Sequence, residues 1–380
     1  MSWNEVSLEN ITEVVTKGTT PTTYGMPFTD EGINFVKAES LNGDVSLERS
    51  GFAFISDDTH EKLKRSQLAK DDVLITIAGA NIGKCGIVRE DDLPANTNQA
   101  VGIIRVSSDK ALSQYVYYHF KNPRIFSICQ SIGGQAAQPN INLSVLKGMK
   151  LKLPSLQVQQ KTVDILSTYD DAIRTNHRRI QLLEDAARLL YREWFIYLRF
   201  PGHEHVKIVD GVPEGWLSKR LGEILTLNYG KALKAETRIS GPYPVYGSSG
   251  IVGTHETALV TGPSIIIGRK GNVGSIYWAS KNSYPIDTVY FINTEQSNLY
   301  LYYALQYVQF INTDVAVPGL NRDMAYSRHL LIPSETILQS FIDQAQTIRQ
   351  QIEKLAEFNT KLTDARDLLL PRLMSGEISV

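Results

Sequence analysis

The 380-residue sequence has only two cysteines, Cys85 and Cys129, so a disulfide framework and a four-cysteine zinc site are excluded and a reducing compartment is expected. It also lacks excess charge, because 39 Lys and Arg residues face 40 Asp and Glu residues. This balance excludes a protein that coats nucleic acid by bulk charge but leaves site-specific DNA binding open. No segment reaches the roughly 18 apolar residues of a membrane span, and the amino terminus lacks the apolar run of a secretion signal. We therefore expect a soluble, cytoplasmic protein without membrane contacts.

Sequence motifs for catalysis and cofactor binding are missing as well. The segment between Gly79 and Gly83 is similar to a phosphate-binding loop, but it is one residue too short, and Cys85 replaces the Ser or Thr that would bind Mg²⁺. The seven histidines form no HExxH motif, and no GxSxG, dinucleotide-binding or amino-methyltransferase signature occurs. We expect no catalytic residue, no metal ligand and no bound cofactor on this chain.

The sequence contains an internal repeat. Residues 141–156 recur as residues 320–335, and residues 182–194 recur as residues 361–373 at the same offset of 179 residues. Earlier parts of the two halves match at larger offsets, as expected for loops that vary on a shared scaffold. The predicted order is therefore domain, long helix, domain, long helix.

Each domain is predicted to be an α/β domain of the α+β type, with short strands separated by Gly, Asn and Asp turns. The strands predicted in the first domain are residues 71–79, 100–107 and 149–154. Their counterparts in the second are residues 264–269, 288–293 and 329–333. Residues 113–123 and 298–308 have the aromatic and aliphatic spacing of an amphipathic helix that packs on the sheet.

Two long segments carry apolar residues at heptad spacing over four heptads each, which favours two helices that pair as an antiparallel coiled coil with an approximate two-fold axis. The predicted interface positions are Tyr169, Ile173, Asn176, Ile180, Leu183 and Leu190 in the first helix and Ile348, Ile352, Leu355, Asn359, Leu362 and Leu369 in the second. A helix that packs only on its own domain is the alternative. The two asparagines would either fix the register of the pair or lie at its wet edge.

The ends of the long helices have recognisable signals. Ser155 and Ser334 are predicted N-caps, Pro201–Gly202 is expected to end the first helix, and Pro371 to bend or end the second. Arg366 interrupts the apolar heptad pattern of the second helix. It predicts either loose packing near the carboxyl end of that helix or an acidic partner residue for the arginine. Four heptads rise about 42 Å, close to the ~34–36 Å of one B-DNA turn, so two domains at opposite ends would meet successive turns of a duplex.

The loops of both domains are rich in side chains that hydrogen-bond phosphates and base edges. The candidate DNA-binding residues of the first domain are Lys17, Thr20, Thr22, Tyr24, Asn81, Lys84, Asn98, Gln99, Gln135, Gln138 and Asn140. Those of the second domain are Tyr229, Lys231, Lys234, Tyr246, Ser248, Ser249, Arg269, Lys270, Asn272, Asn321 and Arg322. The second domain is mildly basic and the first is not, so a partner is expected to add affinity.

These features resemble the specificity (S) subunit of type I restriction-modification systems. The resemblance covers essentially the whole chain and rests on the two-domain, two-helix order together with five segments. Those segments are residues 140–154 (NINLSVLKGMKLKLP), 191–204 (YREWFIYLRFPGHE), 212–216 (VPEGW), 319–333 (GLNRDMAYSRHLLIP) and 368–378 (LLLPRLMSGEI).

The resemblance implies two target-recognition domains, each of which reads one half of a bipartite DNA site. The implied boundaries are residues 1–154 for recognition domain 1, 155–200 for the first helix, 201–215 for a linker, 216–333 for recognition domain 2 and 334–380 for the second helix and tail. Two methyltransferase (M) subunits would dock on the helices, and restriction (R) subunits would join for cleavage. S-adenosylmethionine, ATP and Mg²⁺ would belong to these partners.

Three alternatives stay open. The chain could be a fused methyltransferase or nuclease, which would bind S-adenosylmethionine or cleave DNA alone. It could be a coiled-coil scaffold without sequence preference on DNA, or it could serve a complex that only methylates. If the site hypothesis holds, alanine at Lys84 or at Arg269 and Lys270 should weaken binding across sequences. Replacing Gln135, Gln138 or Asn321 should relax specificity in one half-site.

Overall fold

The chain divides into two compact units, each combining one globular domain with a segment of both long helices. The first unit contains Met1–Arg178 and Leu355–Val380, and the second contains Arg179–Lys354. The residues that the computed structural model describes are 3–41, 47–133, 140–310 and 319–380. In those ranges, no helix has the length and apolar content needed to cross a membrane.

The first domain is built from short strands and short helices, as its Gly- and Asn-rich turns predict. Its elements are β1 (Asn4–Ser7), β2 (Thr12–Lys17), β3 (Ile33–Val36), β4 (Ala53–Ile55), α1 (Asp57–Lys62), β5 (Val73–Thr76), β6 (Cys85–Ile87), β7 (Ala95–Thr97), β8 (Val101–Val106), α2 (Ser113–Lys121), α3 (Pro123–Gly133), α4 (Leu143–Gly148) and β9 (Lys150–Leu153). An antiparallel sheet has the order β2-β8-β5-β6, a second sheet has the order β4-β3-β7 with β3 parallel to β7, and β1 pairs with β9.

The first long helix and the second domain follow. The first helix is α5 (Leu156–Tyr191), continued by a π turn over Arg192–Ile196. The elements of the second domain and its linker are β10 (Ile208–Val209), β11 (Val212–Pro213), β12 (Leu217–Arg220), α6 (Leu221–Ile224), β13 (Asn228–Tyr229), β14 (Tyr243–Gly247), β15 (Gly250–His255), β16 (Ser264–Gly268), β17 (Ile276–Ala279), β18 (Tyr284–Pro285), β19 (Val289–Ile292), α7 (Leu299–Leu305), α8 (Arg322–Ser327) and β20 (His329–Ile332). The second long helix is α9 (Glu335–Ser375).

The second domain has the sheet topology of the first. Its four-stranded sheet has the order β13-β19-β16-β17, its three-stranded sheet has the order β15-β14-β18 with β14 parallel to β18, and β12 pairs with β20. All six strands predicted from the sequence are confirmed, as β5, β8, β9, β16, β19 and β20. The internal repeat therefore corresponds to one α/β domain used twice, and the predicted fold class is confirmed.

The aromatic helices α2 and α7 supply much of each core. Six of the nine residues of α2 are buried, and all seven residues of α7 are buried, so α7 is enclosed on all sides. The two cysteines are free and buried in the first core, where burial raises the pKa of Cys85 to about 12 and keeps the thiol protonated.

All twelve predicted heptad residues are buried or half-buried, as an interface requires. In the first unit, Asn176 Nδ2 donates to Asn359 Oδ1 at 2.9 Å, and Arg366 Nη1 donates to Asp170 Oδ1 at 2.6 Å. The later residue of α5 meets the earlier residue of α9, so these segments are antiparallel. In the second unit, Glu184 pairs with Arg349 and the Tyr191 ring contacts Phe341, again in antiparallel order.

Two predictions about the ends of the helices need correction, and the structure decides between the alternatives stated for Arg366 and for the two asparagines. The α-helical part of α5 ends at Tyr191 rather than at Pro201, because a π turn replaces its last turn. Pro371 does not end α9, which continues to Ser375. Of the two alternatives for Arg366, the acidic partner residue is confirmed, because that side chain is buried and paired with Asp170. Asn359 is also buried and hydrogen-bonded to Asn176, which excludes the wet-edge alternative and favours a role in register.

Candidate nucleic-acid interface

The polar loops of the first domain meet at one end of its four-stranded sheet. β2 ends at Lys17, opposite Gly102 in β8, and β5 ends at Thr76, opposite Val101. Because neighbouring strands in this sheet are antiparallel, the loops that follow β2, join β5 to β6 and precede β8 all leave the sheet at the same end. We call this surface loop end 1. The sheet topology thus brings together loops that are far apart in the sequence.

The described candidates of the first domain lie in these loops or beside them. Asn140 joins loop end 1 through a bridge to Ala78 in the β5–β6 loop. The exposed candidates are Lys17, Thr22, Tyr24, Gln99 and Asn140, and the half-buried candidates are Thr20, Asn81, Lys84 and Asn98. Gln135 and Gln138 lie outside the described residues.

The second domain repeats this arrangement. β13 ends at Tyr229, opposite Tyr290 in β19, and β16 ends at Gly268, opposite Val289. The loops after β13, between β16 and β17, and before β19 therefore leave the sheet together. The backbone N–H of Leu320 donates to the carbonyl oxygen of Arg269 at 2.9 Å, which brings the start of α8 to the same place. We call this surface loop end 2.

Equivalent glycines let the first loop of each domain pass close to the sheet. A Cβ atom on Gly18 would lie 2.1 Å from the carbonyl oxygen of Thr97, and one on Gly230 would lie 2.0 Å from that of Ile286. No side chain fits at either distance. Gly18 follows β2 and Gly230 follows β13, so the same close approach shapes both loop ends.

Most candidates of the second domain are accessible at loop end 2 or near it. The exposed candidates are Tyr229, Lys231, Lys234, Ser249, Lys270, Asn272, Asn321 and Arg322, and the half-buried candidates are Ser248 and Arg269. Tyr246 differs, because it is only 8% exposed and packs with Ile266 and Val289 in a small core cluster. Its ring therefore stabilises the domain and is not placed to contact DNA.

Asn321 has a structural role that the sequence prediction missed. Its Oδ1 accepts hydrogen bonds from the backbone N–H groups of Asp323 at 2.8 Å and Met324 at 3.3 Å. Asn321 is therefore the N-cap of α8. Asn142, its counterpart in the repeat, caps α4 by accepting from Val145 N–H at 2.8 Å. The repeated asparagine thus reflects helix capping. If Asn321 also contacts a base, only its side-chain amide nitrogen remains to do so.

Lysine and arginine side chains lie at both loop ends, and Asp287 in the loop before β19 adds one carboxylate at loop end 2. Within the described ranges, no ion pair is formed by Lys17 or Lys84 at loop end 1, or by Lys231, Lys234, Arg269, Lys270 or Arg322 at loop end 2. No cluster of three or more His, Cys, Asp or Glu side chains suited to a metal ion occurs in those ranges either. Cations that form no ion pair with the described residues, and that lie beside hydrogen-bonding loops, are suited to the phosphates of nucleic acid.

A protein-family comparison decides the assignment. The model described as "Type I restriction modification DNA specificity domain" matches residues 1–185 and 213–324, which together are most of the chain. The chain belongs to this specificity family. Each matched segment lies within one copy of the repeat, so the family's domain occurs twice here.

Relatives of this specificity chain carry matching names. It is 26% identical to the type I restriction enzyme MjaIX specificity subunit of Methanocaldococcus jannaschii over a gapped alignment of 411 positions. The alignment covers 100% of this chain and 94% of that protein. It is 32% identical to the EcoBI specificity subunit of Escherichia coli over 45% of this chain and 36% of that protein. A crystal structure of the type I S subunit from M. genitalium has the same fold, with a TM-score of 0.56, 18% identity and coverage of 98% and 96%.

Two residues of the specificity chain that the sequence did not single out lie within the loop ends. Arg65 Nη2 donates to Thr19 Oγ1 at 3.5 Å, which adds a cation to loop end 1. Tyr290 lies under loop end 2, where burial raises the pKa of its phenol. Its hydroxyl therefore stays protonated and donates to the carbonyl oxygen of Leu320 at 3.2 Å. Both contacts join residues far apart in the sequence, so no local pattern could have predicted them.

We expect Lys84→Ala to weaken DNA binding by the specificity chain across all sequences. Lys84 lies at loop end 1 and forms no ion pair with the described residues, and loss of one phosphate contact should reduce the slope of log affinity against log salt by about 1. Titrations of DNA between low and high salt measure this slope. Lys161→Ala on the exposed face of α5 is the matched control and should leave it unchanged. An unaltered slope for Lys84→Ala would remove Lys84 from the interface.

Proposed function

We propose that this chain recognises DNA for a type I restriction-modification complex, and that each domain reads one half of a bipartite site. The observation that carries the proposal is the shared topology of the two domains. Both domains direct polar loops to the same end of an equivalent sheet. One chain thereby presents two separate reading surfaces.

The half-sites should differ from each other. Loop end 1 presents Lys17, Tyr24 and Gln99, whereas loop end 2 presents Tyr229 and Lys270 among its exposed residues. Different side chains present different donors and acceptors to base edges, so they select different bases. The recognised site should therefore be asymmetric, with a spacer determined by the two long helices.

The helices would also dock the methyltransferase subunits. Leu189 on α5 is 52% exposed and Leu368 on α9 is 72% exposed, and each directly precedes a heptad position, Leu190 or Leu369. These leucines are separated by 179 residues, so they are equivalent positions of the repeat. Two equivalent exposed leucines favour two copies of one partner, each docked on its own segment.

The chemistry of the complex would lie in those partners. Transfer of a methyl group to adenine N6 needs S-adenosylmethionine, and translocation and cleavage by restriction subunits need ATP and Mg²⁺. The role of this chain's own residues is to bind and orient the duplex. The specificity chain is accordingly proposed as a non-catalytic subunit, in a complex that either restricts and methylates or only methylates.

A modified-base map of the host genome, with this gene intact and deleted, tests the proposal. We expect a gapped, asymmetric motif whose adenine methylation disappears on deletion. If the motif is absent, copurification of the chain with a methyltransferase subunit separates two cases. Copurification without methylation indicates an inactive partner, whereas failure of both supports a scaffold without DNA specificity.

A further inference from the structure

Two arginines and two tyrosines form a compact cluster at loop end 2. The guanidinium carbon of Arg269 lies 5.1 Å from the ring centre of Tyr229 and 5.7 Å from that of Tyr290. The guanidinium carbon of Arg322 lies 5.2 Å from the Tyr229 ring, and the two tyrosine rings are 5.0 Å apart. We call these four residues the Arg–Tyr cluster. Cation–π attraction holds both guanidinium groups against the exposed Tyr229 ring.

Arg269 is fixed at both its main chain and its side chain. Its N–H donates to the carbonyl oxygen of Thr288 at 2.9 Å, and its own carbonyl oxygen accepts from Leu320 N–H at 2.9 Å. Its side chain lies over both tyrosine rings, and its Nε is buried without a hydrogen-bond partner among the described residues. The residue is only half-buried, so the planar guanidinium is oriented by the protein but not enclosed by it.

The neighbouring cations are not constrained in this way. Lys231, Lys234 and Lys270 are exposed and form neither an ion pair nor a ring contact in the described part of the chain. A mobile ammonium group follows a phosphate wherever it lies, because it is a point charge on a flexible stem. A guanidinium of fixed orientation is instead suited to a ligand with two acceptors in one plane, and guanine presents O6 and N7 in the major groove in that way.

We infer that Arg269 reads a guanine in the half-site bound by the second domain, and that Tyr229 is the residue that positions its guanidinium. The inference rests on the proposed function and adds to it the identity of one base that the second domain reads. Arg322, which shares the Tyr229 ring, carries the second charge that favours an electron-rich ligand at this point. The lysines around the cluster contact the phosphates on either side.

The test uses the full chain with its methyltransferase subunits and duplexes that carry the mapped motif. Each guanine of the second half-site is changed in turn to adenine, which keeps N7 but replaces the O6 acceptor with an amino donor. Wild type should prefer guanine at one position by about 5- to 150-fold, the discrimination of one bidentate pair. Arg269→Gln should reduce that preference to less than about threefold at the same position only, because a glutamine amide pairs with adenine N6 and N7 and not with guanine O6 and N7.

Further variants separate positioning from folding. Tyr229→Phe keeps the aromatic face and should retain the guanine preference, whereas Tyr229→Leu should lose most of it. Lys270→Ala should lower affinity for every duplex equally. Because the preference compares duplexes that bind to one and the same variant, Arg269→Gln decides the outcome even if its affinity for every duplex falls.

Two results would overturn the inference. One is an Arg269→Gln chain that binds all duplexes more weakly but keeps the guanine preference, which would make Arg269 a phosphate contact. The other is a second half-site in which wild type prefers guanine nowhere. Failure of the proposed function is distinct from both, because it would appear as the absence of any gene-dependent motif before a variant is made.

Discussion

Replacing Asp170 with asparagine should lower the free energy of unfolding of the first unit by about 3–5 kcal/mol, the range for breaking a buried ion pair from one side. The Asp170 carboxylate is 3% exposed and accepts from Arg366 Nη1 at 2.6 Å and from the Tyr118 hydroxyl at 2.9 Å. Lys121 Nζ lies 3.7 Å away. The variant leaves two cations buried beside a neutral amide, so each loses much of the interaction that offsets its desolvation.

The position of Asp170 makes this loss more than local. Arg366 belongs to α9, Tyr118 and Lys121 belong to α2 of the first domain, and Asp170 itself belongs to α5. Burial raises the pKa of Tyr118, so its hydroxyl remains a donor to the carboxylate. One side chain therefore joins the domain to segments of both long helices, and its loss should loosen all three together.

Urea unfolding followed by circular dichroism would measure the change, and hydrogen exchange in peptides from residues 156–178 and 355–375 would locate it. Asp171→Asn is the matched control. Asp171 pairs with Arg174 at 2.8 Å on the exposed face of the same helix, and such pairs contribute at most about 1 kcal/mol. Equal stability losses for the two variants would show that the buried network of Asp170 contributes no more than the exposed Asp171–Arg174 pair.

The long helices could be predicted because their signal is periodic and local. Heptad spacing selected twelve positions, and the structure buries or half-buries each of them. The partner of Arg366 could not be found this way, because Asp170 is 196 residues distant in the sequence. A charged residue in an apolar stripe can mean weak packing or a buried ion pair. Only the tertiary structure distinguishes these cases.

The loop ends were predictable as regions but not residue by residue. Repeated polar loops after short strands indicated where the proposed reading surfaces lie, because the sheet brings antiparallel strand ends together. Whether each polar side chain is exposed, buried or bonded to the backbone depends on the tertiary structure around it. Tyr246 is buried in a core cluster, and the side-chain oxygen of Asn321 caps α8.

A capping signal for Asn321 was present in the sequence. Asparagine directly before a short helical segment is a preferred N-cap, and the alignment of Asn142 with Asn321 marked a feature common to both domains. Residues that read different half-sites should differ between the domains rather than recur. The recurrence was therefore an argument for a structural role, whereas Arg269 belongs to the part that varies.

The double variant Leu189→Glu with Leu368→Glu should abolish assembly with methyltransferase subunits. Each leucine exposes more than half of its surface, 52% and 72%, on the outside of a helix whose next residue, Leu190 or Leu369, faces the interior. Burying one leucine side chain contributes about 1.5–3 kcal/mol, or about 10- to 150-fold in affinity. A carboxylate there removes that gain and adds the desolvation of a charge.

The single variants make the prediction specific to two equivalent sites. Each should bind one methyltransferase copy where the parent binds two, because the leucines occupy the same position of the repeat in different units. Light scattering of the copurified complexes reports these stoichiometries directly. Gln350→Glu adds the same charge at an exposed position of α9 and should leave two copies bound. Retention of both copies by the double variant would place the docking surface elsewhere, whereas loss of both copies in either single variant would show that the two sites are not independent.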